Sequence, residues 1–111
     1  MHVTSALSSE LLELVRMERL GFAAKIRTAR AVLGWSQSEL GAHVGLTQRA
    51  IHKLEQGDTE PRRTTMHVLE EIWRLEGVEF EDLGGGAFRC TVRSPVLDRA
   101  APANRKKQHH S

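Results

Sequence analysis

Tyrosine is absent from this sequence, and cysteine occurs once, at Cys90. A lone cysteine excludes an intramolecular disulfide and a multi-cysteine zinc site, and it favours a reducing, cytoplasmic setting. Long apolar runs are missing too. None approaches the roughly 20 residues of a membrane-spanning helix, so no membrane partner is expected. The opening MHVTSALSSELLELVRMERLG has no basic stretch followed by an unbroken apolar one, the pattern of a secretory signal. Nor does any segment of about 20–50 residues repeat. Neither sign of charge dominates: 16 Lys and Arg stand against 14 Asp and Glu, a formal +2. With a pI near 9.1, that is a mild hint of an anionic partner. No Ser/His/Asp arrangement, paired-carboxylate cleft, phosphate-binding glycine loop or metal-ligand spacing is visible. The expectation is a protein that is not an enzyme and needs no cofactor.

What is present suits one small domain: 111 residues, 40% hydrophobic and 27% charged. In SSELLELVRMERL, Ser8 or Ser9 can cap a helix and Glu10 suits its first turn. This N-terminal helix fills residues 1–20, with Gly21 expected to interrupt it. Its leucines either cover the core or form a dimer contact. Met17 is an alternative start of the chain. Next, Phe22, Ile26, Ala29 and Leu33 fall on one helical face, and Gly34 suits a left-handed stop. Ser36 and Glu39 form a capping box, Trp35 and Leu40 a hydrophobic staple, and Gly45 the end of that helix. Thr47 caps the following one, GLTQRAIHKLEQG, with Leu46 and Ile51 as a second staple. Pro61 and Asp58 mark a loop, and Thr64 or Thr65 opens a last helix with Met66, Leu69, Ile72 and Trp73 inside and Gly77 at its end.

Beyond Gly77 the period changes to two. Val78/Phe80 and Phe88/Cys90/Val92 alternate on either side of Gly84–Gly86, which predicts a small β-hairpin over 78–93. Cys90 there reads as a small hydrophobe. Residues 94–111 lack periodicity, carry Arg105, Lys106 and Lys107 near the C-terminus, and are expected to be a disordered basic tail. The predicted fold class is mainly α, a four- to five-helix domain with a C-terminal β-hairpin.

Two short helices joined by a tight glycine-containing turn make a helix-turn-helix unit over residues 21–77. Gly41 permits close approach of the second helix, and Val44, Ile51 and Leu54 lock the pair. The second helix then divides in two. Ala50, Ile51 and Leu54 share one face; Gln48, Arg49, His52, Lys53 and Gln56 occupy the other. Glu55 falls at the edge of the apolar face, an awkward place for a carboxylate without a partner.

The run RTARAVLGWSQSELGAHVGLTQRAIHKLEQGDTEP resembles the phage-repressor/Cro-type helix-turn-helix family, also called the xenobiotic-response-element type. The resemblance spans about Phe22 to Gly77. It rests on Arg30 and Gly34-Trp35-Ser36-Gln37, Leu40-Gly41, Val44-Gly45-Leu46-Thr47, Ile51, and Leu54-Glu55-Gln56-Gly57 followed by Pro61. Gly41 departs from it, since the family more often has Ala. The resemblance implies a compact repressor-like bundle, binding to double-stranded DNA, and a homodimer on an inverted repeat that regulates transcription. Some members are antitoxins, so a toxin or effector protein is a further partner it leaves open. A helix-turn-helix module that binds protein and no DNA is the rival reading.

At the family's positions, Gln48 can pair with adenine. Arg49 can meet guanine or a phosphate, and Lys53 a base or the backbone. His52 is either a DNA contact or a plain exposed histidine. Gln37 resembles the family's phosphate-holding glutamine, and Thr47 is first a cap whose hydroxyl can also touch phosphate. Arg30 and Glu55 match a buried or half-buried ion pair between the first and third helices. Arg62 and Arg63 can flank the backbone. Lys25 and Arg27 can do likewise or form a solvated face. His67 reads as surface.

Overall fold

The computed structural model describes residues 2–99. Their order is α1 (His2–Leu33), α2 (Gln37–Val44), α3 (Gln48–Gln56), α4 (Arg63–Glu76), β1 (Val78–Gly84), β2 (Ala87–Val92) and α5 (Ser94–Arg99). The fold is mainly helical, with a C-terminal antiparallel hairpin. The core takes Phe22, Ile26 and Ala29 from α1, Leu40 from α2, Ile51 from α3, Leu69 and Trp73 from α4, Val78 from β1 and Val96 from α5. The stripe read from the spacing of α1 is thus the face that packs.

The hairpin packs against α1 and α4. Its register pairs Val78 with Val92, Phe80 with Cys90 and Asp82 with Phe88, so those residues share a face. Aromatic rings carry the contact inward. Phe22 lies 6.1 Å from Trp73, Trp73 meets Phe80 edge-on at 5.4 Å, and Phe80 meets Phe88 edge-on at 5.3 Å.

Gly21 does not interrupt the first helix: α1 runs unbroken through it. One glycine inside a helix costs about 1 kcal/mol, which packing on either side can offset. Its role here is space. A Cβ at Gly21 would stand 2.3 Å from the carbonyl oxygen of Gly86, and one at Gly86 would stand 2.2 Å from that of Met17. The hairpin turn therefore rests directly on the backbone of α1, and only glycine on both sides allows it.

Three other expectations change. Lys25 is no solvated residue; it is 5% exposed, its Nζ lies 2.5 Å from Asp82 Oδ1, and the ammonium sits over the Phe80 ring. It ties α1 to the hairpin. Helix α4 starts at Arg63, ahead of Thr64 and Thr65, and its N-cap residue Arg62 makes no side-chain capping bond. The segment after the hairpin does not begin as a tail. Ser94–Arg99 is helical, and Val96 is buried beside Gly77, where any Cβ would meet Val96 Cγ2 at 2.2 Å. Val96 and Leu97 are adjacent in this six-residue helix, so no apolar period is there to read. The basic residues Arg105, Lys106 and Lys107 lie outside the described residues.

Candidate nucleic-acid interface

Helix α2 opens with both halves of a capping box. Ser36 Oγ accepts from Glu39 N at 3.0 Å, and Glu39 Oε1 accepts from Ser36 N at 3.1 Å. The hydrogen bond from the Ser36 backbone, then that with its hydroxyl, holds the Glu39 carboxyl below its ordinary range. Trp35 stacks on His43 in the last turn of α2, ring centroids 4.0 Å apart. The helix ends at Gly45 with φ 75°, the left-handed turn that a side chain would resist. Leu46 N then donates to Gly41 O at 2.9 Å. A Cβ on Gly41 would lie 2.4 Å from Leu46 O. The absence of a side chain at 41 lets the turn fold down onto α2.

Thr47 caps α3 by accepting from Ala50 N at 3.1 Å. Ile51 is fully buried and Leu54 packs at the core's edge. Glu55 is also buried, 7% exposed, but it is not alone. Arg30 Nε and Nη2 donate to its two oxygens at 2.5 and 2.9 Å, a two-pronged pairing between α1 and α3. Arg30 Nη1 also donates to Trp35 O at 3.0 Å, so one guanidinium ties α1, the α2 entry and α3 together.

Two more arginines hold α3: Arg19, which carried no expectation, and Arg27, which was expected at the DNA backbone or on a solvated face. Arg27 donates to Glu55 O at 2.5 Å and Arg19 to Gly57 O at 2.6 Å. Both oxygens belong to the C-terminal end of the helix, where carbonyls lack partners within the helix and cations are favoured. Arg19, Arg27 and Arg30 are spaced 8 and 3 apart, on one side of α1, which is the signal that was there to be read.

With Glu55 withdrawn inside, the outer face of α3 carries no acid. Gln48, Arg49, His52 and Lys53 are exposed, and Thr47 stands exposed at its start. Gln37, half-buried at the first turn of α2, joins this face. Gln48 Nε2 donates to Gln37 Oε1 at 2.5 Å, and Gln37 Nε2 lies 3.3 Å from His52 Nδ1. Among the described residues neither Arg49 nor Lys53 has an ion-pair partner. Lys53 and Arg62 border one shallow depression between α3 and the loop; Arg63 and His67 are exposed on α4. Such a surface, amides flanked by unpaired cations, offers hydrogen bonds to base edges and charge to phosphates.

Comparison with known families agrees with this geometry. A helix-turn-helix domain family model matches residues 21–83. The chain belongs to the helix-turn-helix domain family. The matched span of this helix-turn-helix protein starts in the middle of α1, takes in α2, α3 and α4, and ends within β1. The first part of α1, β2 and α5 are outside it. No solved structure matches the chain.

Proposed function

We propose that the protein is a sequence-specific, double-stranded-DNA-binding transcriptional regulator of the phage-repressor/Cro type. The observation that carries this reading is the composition of α3: every acid is withdrawn from its outer face, while Gln48, Arg49, His52 and Lys53 stand out from it. In this reading α3 enters a major groove. Gln48 and Arg49 read base edges, Lys53 meets a base or a phosphate, and Gln37 and Thr47 meet the backbone beside the start of α2. Arg62 and Arg63 flank the same strand. Arg30 and Glu55 position the helix and touch no DNA.

A homodimer on an inverted repeat completes the proposal, with half-sites about 34 Å apart. The support is the first half of α1. At about 100° per residue, Leu11 and Val15 continue the line of Phe22, Ala29 and Leu33, with Leu12 and Leu14 on either side. All four are exposed, at 43–70%. This is the core stripe of α1 carried past the body of the domain, and a second copy presents the same stripe. A toxin would use the same surface, and a complex of unequal chains would identify that case.

The test is a gel shift at moderate salt, comparing a duplex obtained by selection from random sequences with unselected random DNA. Specific retention supports the regulator. Equal, weak retention of both, or none, assigns the module to protein binding instead. Lys53→Ala should reduce the slope of log K against log salt by about 1 if the ammonium neutralises one phosphate.

A further inference from the structure

Gln37, Gln48 and His52 form a relay with a direction. A glutamine oxygen only accepts and its nitrogen only donates. Gln48 Nε2 donates a hydrogen bond to Gln37 Oε1 at 2.5 Å. Gln37 is left with Nε2 to offer the imidazole, and that nitrogen lies 3.3 Å from His52 Nδ1. Nδ1 is therefore an unprotonated acceptor, and the ring proton is on Nε2. One atom fixes the sense of both amides.

Adding a proton to Nδ1 reverses the relay. Nδ1 becomes a donor, so Gln37 must turn its oxygen toward it. The Gln37 nitrogen then faces Gln48, which must turn in its own oxygen. The consequence appears on the outer edge of Gln48. In the first sense Gln48 keeps Oε1 and one N–H free, an acceptor beside a donor. That pair complements adenine N6–H and N7. In the second sense Oε1 is engaged and both Nε2 protons are free. Two donors complement guanine O6 and N7.

We propose that His52 is a positioning residue that sets the hydrogen-bonding sense of Gln48, so that the base preferred at the position Gln48 reads moves from adenine toward guanine as the imidazole is protonated. This rests on the reading that α3 enters the major groove. The charged groups on the elements packed around His52 are few and mostly committed. On α3, Glu55 is paired with Arg30, and Arg49 and Lys53 are exposed cations. On α2, Glu39 is tied to Ser36 and His43 is stacked on Trp35. On α1, Arg27 and Arg30 are held to Glu55. Among the described residues no carboxylate bonds to the His52 ring.

The experiment uses the full chain and two duplexes that differ only in A·T or G·C at the pair where Gln48→Ala loses discrimination. The expected result is an adenine-over-guanine preference about tenfold or more lower at pH 5.5 than at pH 8, and a preference indifferent to pH in His52→Ala. In the DNA-free chain, the side-chain amide resonances of Gln37 and Gln48 should both move with the midpoint of His52. A preference unchanged with pH, or a pH dependence that persists in His52→Ala, overturns the proposal. Amides that ignore the titration overturn the relay itself. Amides that follow it in a chain that retains no DNA at either pH overturn the base-reading step and the regulator reading together, and leave the relay standing.

Discussion

Glu55 and Gln48 sit seven residues apart on one helix and do opposite work. Glu55 is buried, and both its oxygens are held by Arg30. Removing one partner of such a pair leaves a cation without its charge partner in a half-buried place. Glu55→Ala should lower the unfolding free energy by about 3 kcal/mol, read by denaturant titration; an unchanged midpoint would contradict the structural role. Gln48 is exposed, so Gln48→Ala should leave stability within about 0.5 kcal/mol. It should instead weaken specific DNA binding by about 1–3 kcal/mol, and an equal loss on random DNA would remove it from base reading. The awkward position of Glu55 was legible in the sequence because helical periodicity puts it at the edge of the apolar face. That Arg19 and Arg27 hold the far end of the same helix was not. Their partners are backbone carbonyls 38 and 28 residues away, and a carbonyl has no letter in the sequence.

At the scale of elements, what could be read was what is local. The caps of α2 and α3, the turn at Gly45 and the alternation of the hairpin involve neighbours within four residues, so sequence spacing determines them. Ser36→Ala should cost about 1 kcal/mol by deleting a cap. It should also let Glu39 titrate closer to an ordinary glutamate. Because the native carboxyl is held low, its contribution is complete above the ordinary glutamate value and is lost as pH falls through the lowered one. The variant should lack that part of the acid-side loss, as proton-detected titration of Glu39 would show. Gly21 was misread because a glycine in a helical pattern looks like a break when its packing partner is unknown. Its partner is Gly86, at the far end of the hairpin. Gly21→Ala improves helix propensity by about 1 kcal/mol, yet its Cβ would press on Gly86 O. The net expectation is a loss of stability of about 1–2 kcal/mol, with hydrogen exchange faster in the hairpin; a gain in stability would show that the tip moves freely.

For the whole molecule, α1 serves two purposes along its 32 residues. From Phe22 to Leu33 it is the wall against which α3 and α4 pack. From Ser8 to Glu18 its side chains are exposed, and among the described residues Glu60, Pro61 and Met66 line a shallow groove against Leu11, Leu14 and Val15. The sequence left this segment open between core cover and dimer contact. Among the described residues its leucines stay exposed, and the proposed dimer would cover them. Leu11→Glu with Val15→Glu should reduce a two-chain mass to one chain in light scattering and weaken operator binding, while circular dichroism of the body is kept. A single-chain mass for the unaltered protein at micromolar concentration would contradict the dimer.

The most direct measurement of the central claim, that the acid-free face of α3 reads duplex DNA, is selection of binding sites from random duplexes by the full chain, repeated with Gln48→Ala. The expected result is enrichment of an inverted repeat with half-site centres about 34 Å apart, and loss of information at one base pair per half-site in the variant. Selection that enriches no sequence, or a motif that Gln48→Ala leaves unchanged, would contradict it.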